Sequence, residues 1–240
     1  MAVVNLYAQG QAQGKGQAQG YISKGPYVYD LYLASLSPKA WWKLSDAVGS
    51  ATAADSSGNG YTGTVNGGVT FGQAGPIQGD RAALFDGTSG YISTAYQPAF
   101  SAITIAVWTN AEPALFGGNT HVMAAGGAGA SGFAFYVQNG AGIYIEQGGT
   151  GYGPTWPQNP GAGWEFWVLT WDGATVKGYY QGAQQGAVAA APGPIACANP
   201  LTIGGYSPGG DFFPGSIAEV AIFPFALSAT QVAKAYSLAS

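Results

Sequence analysis

The sequence predicts an all-β protein, two packed antiparallel sheets with a short helix near the start, a closing helix and an extended N-terminal arm. Three observations carry this. Short alternating runs rich in Val, Ile, Thr, Tyr, Phe and Trp recur between residues 40 and 223, and such runs read as strands. Glycine, at 40 residues, collects at their joints, including Asn66-Gly67-Gly68, Asp172-Gly173 and Gln181-Gly182, where tight hairpins need positive φ. Apolar residues make up 47% of the chain, enough to fill the core of one large domain. The expected division is an arm over residues 1–29 and a globular domain over 30–240.

The arm comes first. Gln9, Gln11, Gln13, Lys15, Gln17 and Gln19 alternate with Gly or Ala from residue 10 to 20. Period two places the amides on one strand face and leaves the other nearly bare. The stretch has too little apolar area to offset roughly 1 to 2 kcal/mol of backbone entropy per residue, so its ordering requires a partner's backbone. The expectation is an assembly arm that pairs with other proteins or with copies of this chain.

Asp30 is expected to cap a short helix, "LYLASL", ended by Pro38. Strands then follow: "AWWKL" from 40, "YTGTV" from 61, "VTFG" from 69, "AALFD" from 82, "GYIST" from 90 and "AITIAVWT" from 102. The second half adds "HVMAAG" from 121, "GFAFYVQ" from 132, "GIYIEQ" from 142, "EFWVLTW" from 165, "VKGYYQ" from 176, "GAVAA" from 186, "PLTIGG" from 200 and "SIAEVAIF" from 216. Strict alternation in the last of these sets Ile217, Glu219, Ala221 and Phe223 opposite Ala218, Val220 and Ile222. Phe85, Trp108, Phe133, Phe135, Trp167, Leu169 and Trp171 read as core. The chain closes on a helix: Ser228 is a good N-cap, Gln231 stands three places on, and Val232 and Tyr236 share a face.

Charge narrows the function classes. Only seven Lys or Arg and eleven Asp or Glu occur in 240 residues, against about a quarter in ordinary domains. A surface so poorly charged does little to hold copies apart, which suits an assembled protein. Scattered basic residues form no stripe to track phosphates, so no nucleic acid is expected. Cys197 is the sole cysteine and reads as a buried small apolar residue. The start reads as lacking an export signal, and no membrane insertion is expected.

Catalytic patterns are sparse. Glu112, Glu146, Glu165, Asp172, Asp211 and Glu219 stand singly, without the paired carboxylates that glycoside hydrolysis uses, so the expectation is a non-enzyme. His121 is the one histidine and reads as a surface or hydrogen-bonded residue at a strand start. No Cys/His cluster has zinc spacing.

Several blocks in order resemble a known family. "KAWWKLSD", "DSSGNGYTGTVNGGVTFGQAG", "ALFDGTSGYIST", "AITIAVW", "GWEFWVLTWDG", "LTIGG" and "FFPGSIAEVAIFPFALSATQVAKAY" are similar to laminin-G-like, concanavalin A-like jelly rolls. The resemblance covers roughly residues 31 to 240. It implies two face-to-face sheets, one with a concave outer face. It also implies the family's common ligands. Structural calcium would be held by Asp55 and Asn59 of "DSSGNG", although Ala218 stands where the family pattern usually carries an Asp. No other cofactor is implied. A carbohydrate groove would be formed by Tyr136, Tyr144, Glu146, Tyr152 and Trp156, whose flat rings and polar groups suit a sugar; the same aromatics would serve a protein interface. Domains of this kind on chains without an export signal occur as minor tail or head-decoration proteins of bacteriophage. The expectation is therefore a virion protein, made in the host cytoplasm, contacting other virion proteins, copies of itself and host-surface glycan. The alternative is a free-standing lectin-like module.

Overall fold

A computed structural model describes residues 26–115, 120–126, 131–137, 142–154, 156, 160–189, 193–206 and 210–239. The expected arm residues, Gln9 to Gln19, lie outside the described residues. Helix α1 is Pro26–Ser35, followed by β1 Ala40–Trp42, β2 Thr52–Ala53, β3 Gly63–Asn66, β4 Val69–Ala74, β5 Arg81–Asp86, β6 Tyr91–Ser93, β7 Ala99–Phe100, β8 Ile103–Ala111 and β9 Thr120–Ala125. Then come β10 Gly132–Val137, β11 Gly142–Gln147, β12 Thr150–Tyr152, β13 Glu165–Trp171, β14 Thr175–Tyr180, β15 Ala183–Ala189, β16 Ile195–Ala196, β17 Thr202–Ile203, β18 Pro214–Phe223 and helix α2 Ala229–Ala239.

Two antiparallel sheets form a sandwich. The first runs β15-β14-β13-β8-β18-β5-β4, with β1 also paired to β18, and the second runs β12-β11-β10-β9-β17-β6-β3-β2. Between them, Phe85, Ile105, Trp167, Leu169 and Trp171 of the first sheet meet Ile92, Phe133, Phe135, Ile143 and Ile145 of the second. Burial of each such side chain contributes about 1.5 to 3 kcal/mol. The Gln181-Gly182 joint is a two-residue hairpin with both φ positive, 50° and 77°, matching the twist of the strands it links.

A second core lies outside the sandwich. Trp108, Phe166, Val168, Tyr179, Ala218, Ala221 and Phe223 of the first sheet's outer face pack under Tyr29 and Leu33 of α1 and Val232 and Leu238 of α2. Trp108 belongs here, and its indole donates to the Tyr29 hydroxyl at 3.3 Å. Helix α2 begins as expected: the Gln231 N–H donates to Ser228 Oγ at 3.3 Å and the Ser228 N–H to Gln231 Oε1 at 2.8 Å.

Two local expectations are corrected. Helix α1 starts at Pro26, a residue pre-set for the first helical position, four residues ahead of the expected cap. Asp30 is an interior helix residue paired with Lys43, not a cap. Strand β18 breaks alternation: Ala218 pairs with Trp108 and Ala221 with Ala106, leaving Glu219 and Val220 opposite Val107 alone. Glu219 sits at φ 56° in this bulge, which turns the strand by one residue. Ile217, Val220 and Ile222 therefore face the inner core, while Ala218, Ala221 and Phe223 face the helices.

Candidate functional site

Because both helices pack on the first sheet, the outer face of the second is the sheet face that no described helix covers. Across it the strand registers align one row of partners: Tyr144, Ala134, Ala124, Thr202, Ser93, Thr64 and Thr52. Six steps of about 4.8 Å give a track of about 29 Å. An aromatic ring stands at one end, two methyl groups form the floor, and hydroxyls continue to the far edge. Thr202 Oγ1 donates to the Gly205 carbonyl at 2.7 Å, and Ser93 Oγ accepts from Asn66 Nδ2 at 3.1 Å, so these two hydroxyls are held in place.

A second aromatic group flanks the row. Tyr91 shares the outer side of β6 with Ser93, and its ring lies 6.2 Å from that of Phe212. The His121 ring lies 5.1 Å from Tyr206, with Nδ1 3.4 Å from the Asp211 carboxylate. Burial pushes the imidazole pKa down, and Asp211 pulls it only partly back. Mutual backbone bonds between Tyr206 and Gly210, at 2.9 and 3.1 Å, hold this corner. The aromatic pairs thus cluster around β6, β9, Tyr206 and Phe212. Tyr144, Tyr91, Tyr206, Phe212 and Ser93 are half-buried and Thr64 and Thr52 exposed, while Ala134, Ala124 and Thr202 in the middle of the row are buried. The rings and the three outer hydroxyls are therefore the groups that present stacking surfaces beside hydrogen-bonding groups.

The residues expected from sequence divide. Tyr144 and Glu146 lie on this face, half-buried, while Ile143 and Ile145 between and beside them fill the core. Tyr136 belongs to β10, but its side chain lies outside what is described. Tyr152 registers against Ile145 and packs onto the inner core, opposite to Tyr144. Trp156 is 9% exposed, and its indole lies between Gly142 of the second sheet and Gly178 of the first. These two rings close the open edge of the sandwich and form no sugar platform. Tyr91, Tyr206 and Phe212 were missed; alternation in "GYIST" already places Tyr91 and Ser93 on the face opposite Ile92, whereas the 206–212 corner carries no such signal.

The implied calcium ligands are also reassigned. Asp55 Oδ1 accepts from the N–H groups of Trp41 and Ser57 at 3.1 and 2.9 Å, and Oδ2 from Ser57 Oγ and the Tyr61 N–H, each at 2.9 Å. Burial raises the Asp55 carboxyl, but these donors outweigh it and hold the pKa low. With two donors on each oxygen the acceptor sites are occupied, so the carboxylate organises the loop and does not fit a calcium ion. Asn59 Nδ2 donates to the Lys39 carbonyl at 3.0 Å and completes the same knot. Among the described residues, no three His, Cys, Asp or Glu gather as a ligand set.

A family model described as the concanavalin A-like lectin/glucanases superfamily matches residues 86–233, over half of the chain. Among solved structures, domain 4 of AbnA, a GH43 extracellular arabinanase from Geobacillus stearothermophilus in complex with arabinotriose, aligns at TM-score 0.66 and 18% identity over 85% of this chain and 98% of that one. The receptor-binding domain of botulinum neurotoxin C/D mosaic serotype aligns at 0.66 and 12% over 84% and 51%. The binding domain of botulinum neurotoxin DC in complex with rat synaptotagmin II aligns at 0.64 and 12% over 86% and 52%. This chain spans about half the length of the toxin domains, and at these identities the likeness is one of fold. No curated protein matches the chain.

Proposed function

We propose, on the premise that the chain belongs to the concanavalin A-like lectin/glucanases superfamily, that it is a non-enzymatic lectin-like module binding carbohydrate on the outer face of its second sheet. The observation that carries this reading is the row from Tyr144 to Thr52, aromatic at one end and hydroxyl-bearing beyond, on the face the helices leave open. A relative whose described complex contains arabinotriose supports it. The non-enzymatic part rests on the carboxylates: Glu165 is buried and accepts from the Gly161 N–H and the Tyr180 hydroxyl at 2.9 and 2.8 Å, and Glu219 accepts from the Trp41 indole. Both are engaged in holding structure.

The module's setting in this reading is a bacteriophage particle, with residues 1–25 as the attachment segment and other virion proteins, or copies of the chain, as partners. Support comes from the low charge and the alternating Gln ribbon. The free-standing module is the alternative setting.

A glycan array with wild type, Tyr144→Ala and Glu146→Gln tests the binding face. Binding that falls at least tenfold in Tyr144→Ala, with unchanged melting, is expected; no glycan bound by wild type, or equal binding by both variants, rejects the face. Deleting residues 1–25, which spares α1, is expected to leave a folded protein that no longer enters particles.

A further inference from the structure

We infer that Asp80 and Glu219, facing Asp30 and Lys43 beneath helix α1, form a proton-dependent clasp that holds the helix to the first sheet and loosens it as the pH rises. Glu219 is 1% exposed, turned toward the helix side by the β18 bulge, and its Oε2 accepts from the Trp41 indole at 2.7 Å. Asp80, at the end of the turn before β5, has a buried Oδ2 with no hydrogen-bond partner among the described residues; its Oδ1 accepts the Arg81 N–H at 2.7 Å. Lys43 is already committed to Asp30 of α1.

The titratable groups around Asp80 and Glu219 are Tyr29 and Asp30 from α1 and Lys43 after β1; the Arg81 side chain is exposed. Full ionisation would set three carboxylates against one ammonium. Burial, reinforced by Asp30, pushes Asp80 up to about 6, and burial with Asp80 and Asp30 pushes Glu219 well above its ordinary value. A raised value in the folded state means the stabilising contribution is complete below the ordinary carboxyl range and lost as the pH climbs through the folded value. Asp80 therefore lets go as the pH climbs to about 6, and ionisation of Glu219 above the ordinary carboxyl range adds to the loss.

Helix α1 is the element that yields. It has ten residues, too few to persist without docking, and it is held by Tyr29, Leu33, the Asp30–Lys43 pair and the Tyr32 hydroxyl on the Gln231 carbonyl at 3.1 Å. Local opening of such an element precedes global unfolding. Because α1 follows directly on residues 1–25, the clasp sets how firmly that segment is anchored. The inference is independent of any glycan.

Hydrogen exchange of the full chain at pH 5, 7 and 9, corrected for intrinsic rates, tests it, with β13 amides as the global reference. Wild-type α1 protection is expected to fall roughly tenfold from pH 5 to 7, the fold-change of one unit of differential proton affinity. It is also expected to lie below that of β13 at every pH, because α1 opens locally whereas β13 amides exchange through global unfolding, which also frees Asp80. Asp80→Asn should erase that step, and Glu219→Gln should weaken the dependence on pH that remains. A wild-type α1 that ignores pH, an Asp80→Asn protein that keeps the wild-type step, or α1 amides as strongly protected as those of β13 at every pH would each overturn the clasp.

Discussion

Trp156 and Trp167 meet with ring centroids 5.4 Å apart and planes tilted by 56°, and this contact seals the edge where the two sheets would otherwise part. The indole of Trp156 also lies on the bare Cα of Gly142 and against Gly178, one from each sheet. A tight approach on two sides makes Trp156 a plug.

Trp156→Ala should therefore act on stability. Truncating a buried Trp typically costs about 3 to 5 kcal/mol, and the midpoint of denaturant unfolding should drop accordingly. A variant that loses glycan binding at wild-type stability would return Trp156 to the ligand face.

Gly142→Ala tests the same contact from the other side. The added methyl runs into the indole ring, and such overpacking costs about 1 to 3 kcal/mol. Equilibrium urea unfolding should show a lower midpoint with an unchanged slope, and near-ultraviolet circular dichroism should report the displaced indole.

Trp41→Phe removes the donor to Glu219 and keeps an aromatic ring, though a smaller one. Leaving a buried acceptor unmet costs about 1 to 3 kcal/mol, read as loss of stability at pH 7. Glu219→Gln, which retains an acceptor, should be milder in the same assay.

Stability should pass through a maximum at mildly acidic pH. Burial raises Asp86, but the N–H groups and hydroxyls of Thr88 and Ser89 and the Gly90 N–H outweigh it and hold its pKa far below the ordinary range; backbone donors from Thr175 and Ala174 lower Asp172, and Asp55 is lowered as well. Depressed values contribute fully above an ordinary carboxyl pKa near about 3.9 and are lost as the pH falls below it. Asp80 has the opposite sign and its contribution fades toward pH 6. Melting temperature against pH should peak near about 4, falling below it as the depressed carboxylates protonate and declining from there toward about pH 6 as Asp80 ionises, and Asp86→Asn should flatten the acid side.

Cys197 should resist thiol reagents. It is 3% exposed, and burial pushes its pKa up to about 12, leaving almost no thiolate at neutral pH. Ellman's reagent is expected to react at the rate of unfolding; rapid stoichiometric reaction of the native protein would contradict this burial.

Elements whose signal is local were legible in the sequence. Period-two runs such as 165–171, the Gln181-Gly182 hairpin and the Ser228/Gln231 cap depend on residues within a few positions of each other, and each forms where its own chemistry directs. Tyr144 and Glu146 were legible for the same reason, since alternation with Ile143 and Ile145 settles their side. The 148–163 segment was not, because Tyr152 turns inward only through its pairing with Ile145, and Trp156 is buried by glycines 14 and 22 positions away.

The sequence by itself determined the two-sheet sandwich, its hairpins and its closing helix, since periodicity and turn chemistry act over short stretches. Tertiary structure alone decided which outer face the helices cover, why Glu219 departs from alternation, and that Asp55 spends its oxygens on the donors of its own loop and of Trp41. Those outcomes depend on groups far apart in the chain, whose packing and hydrogen bonds exist only once the sheets and helices have come together.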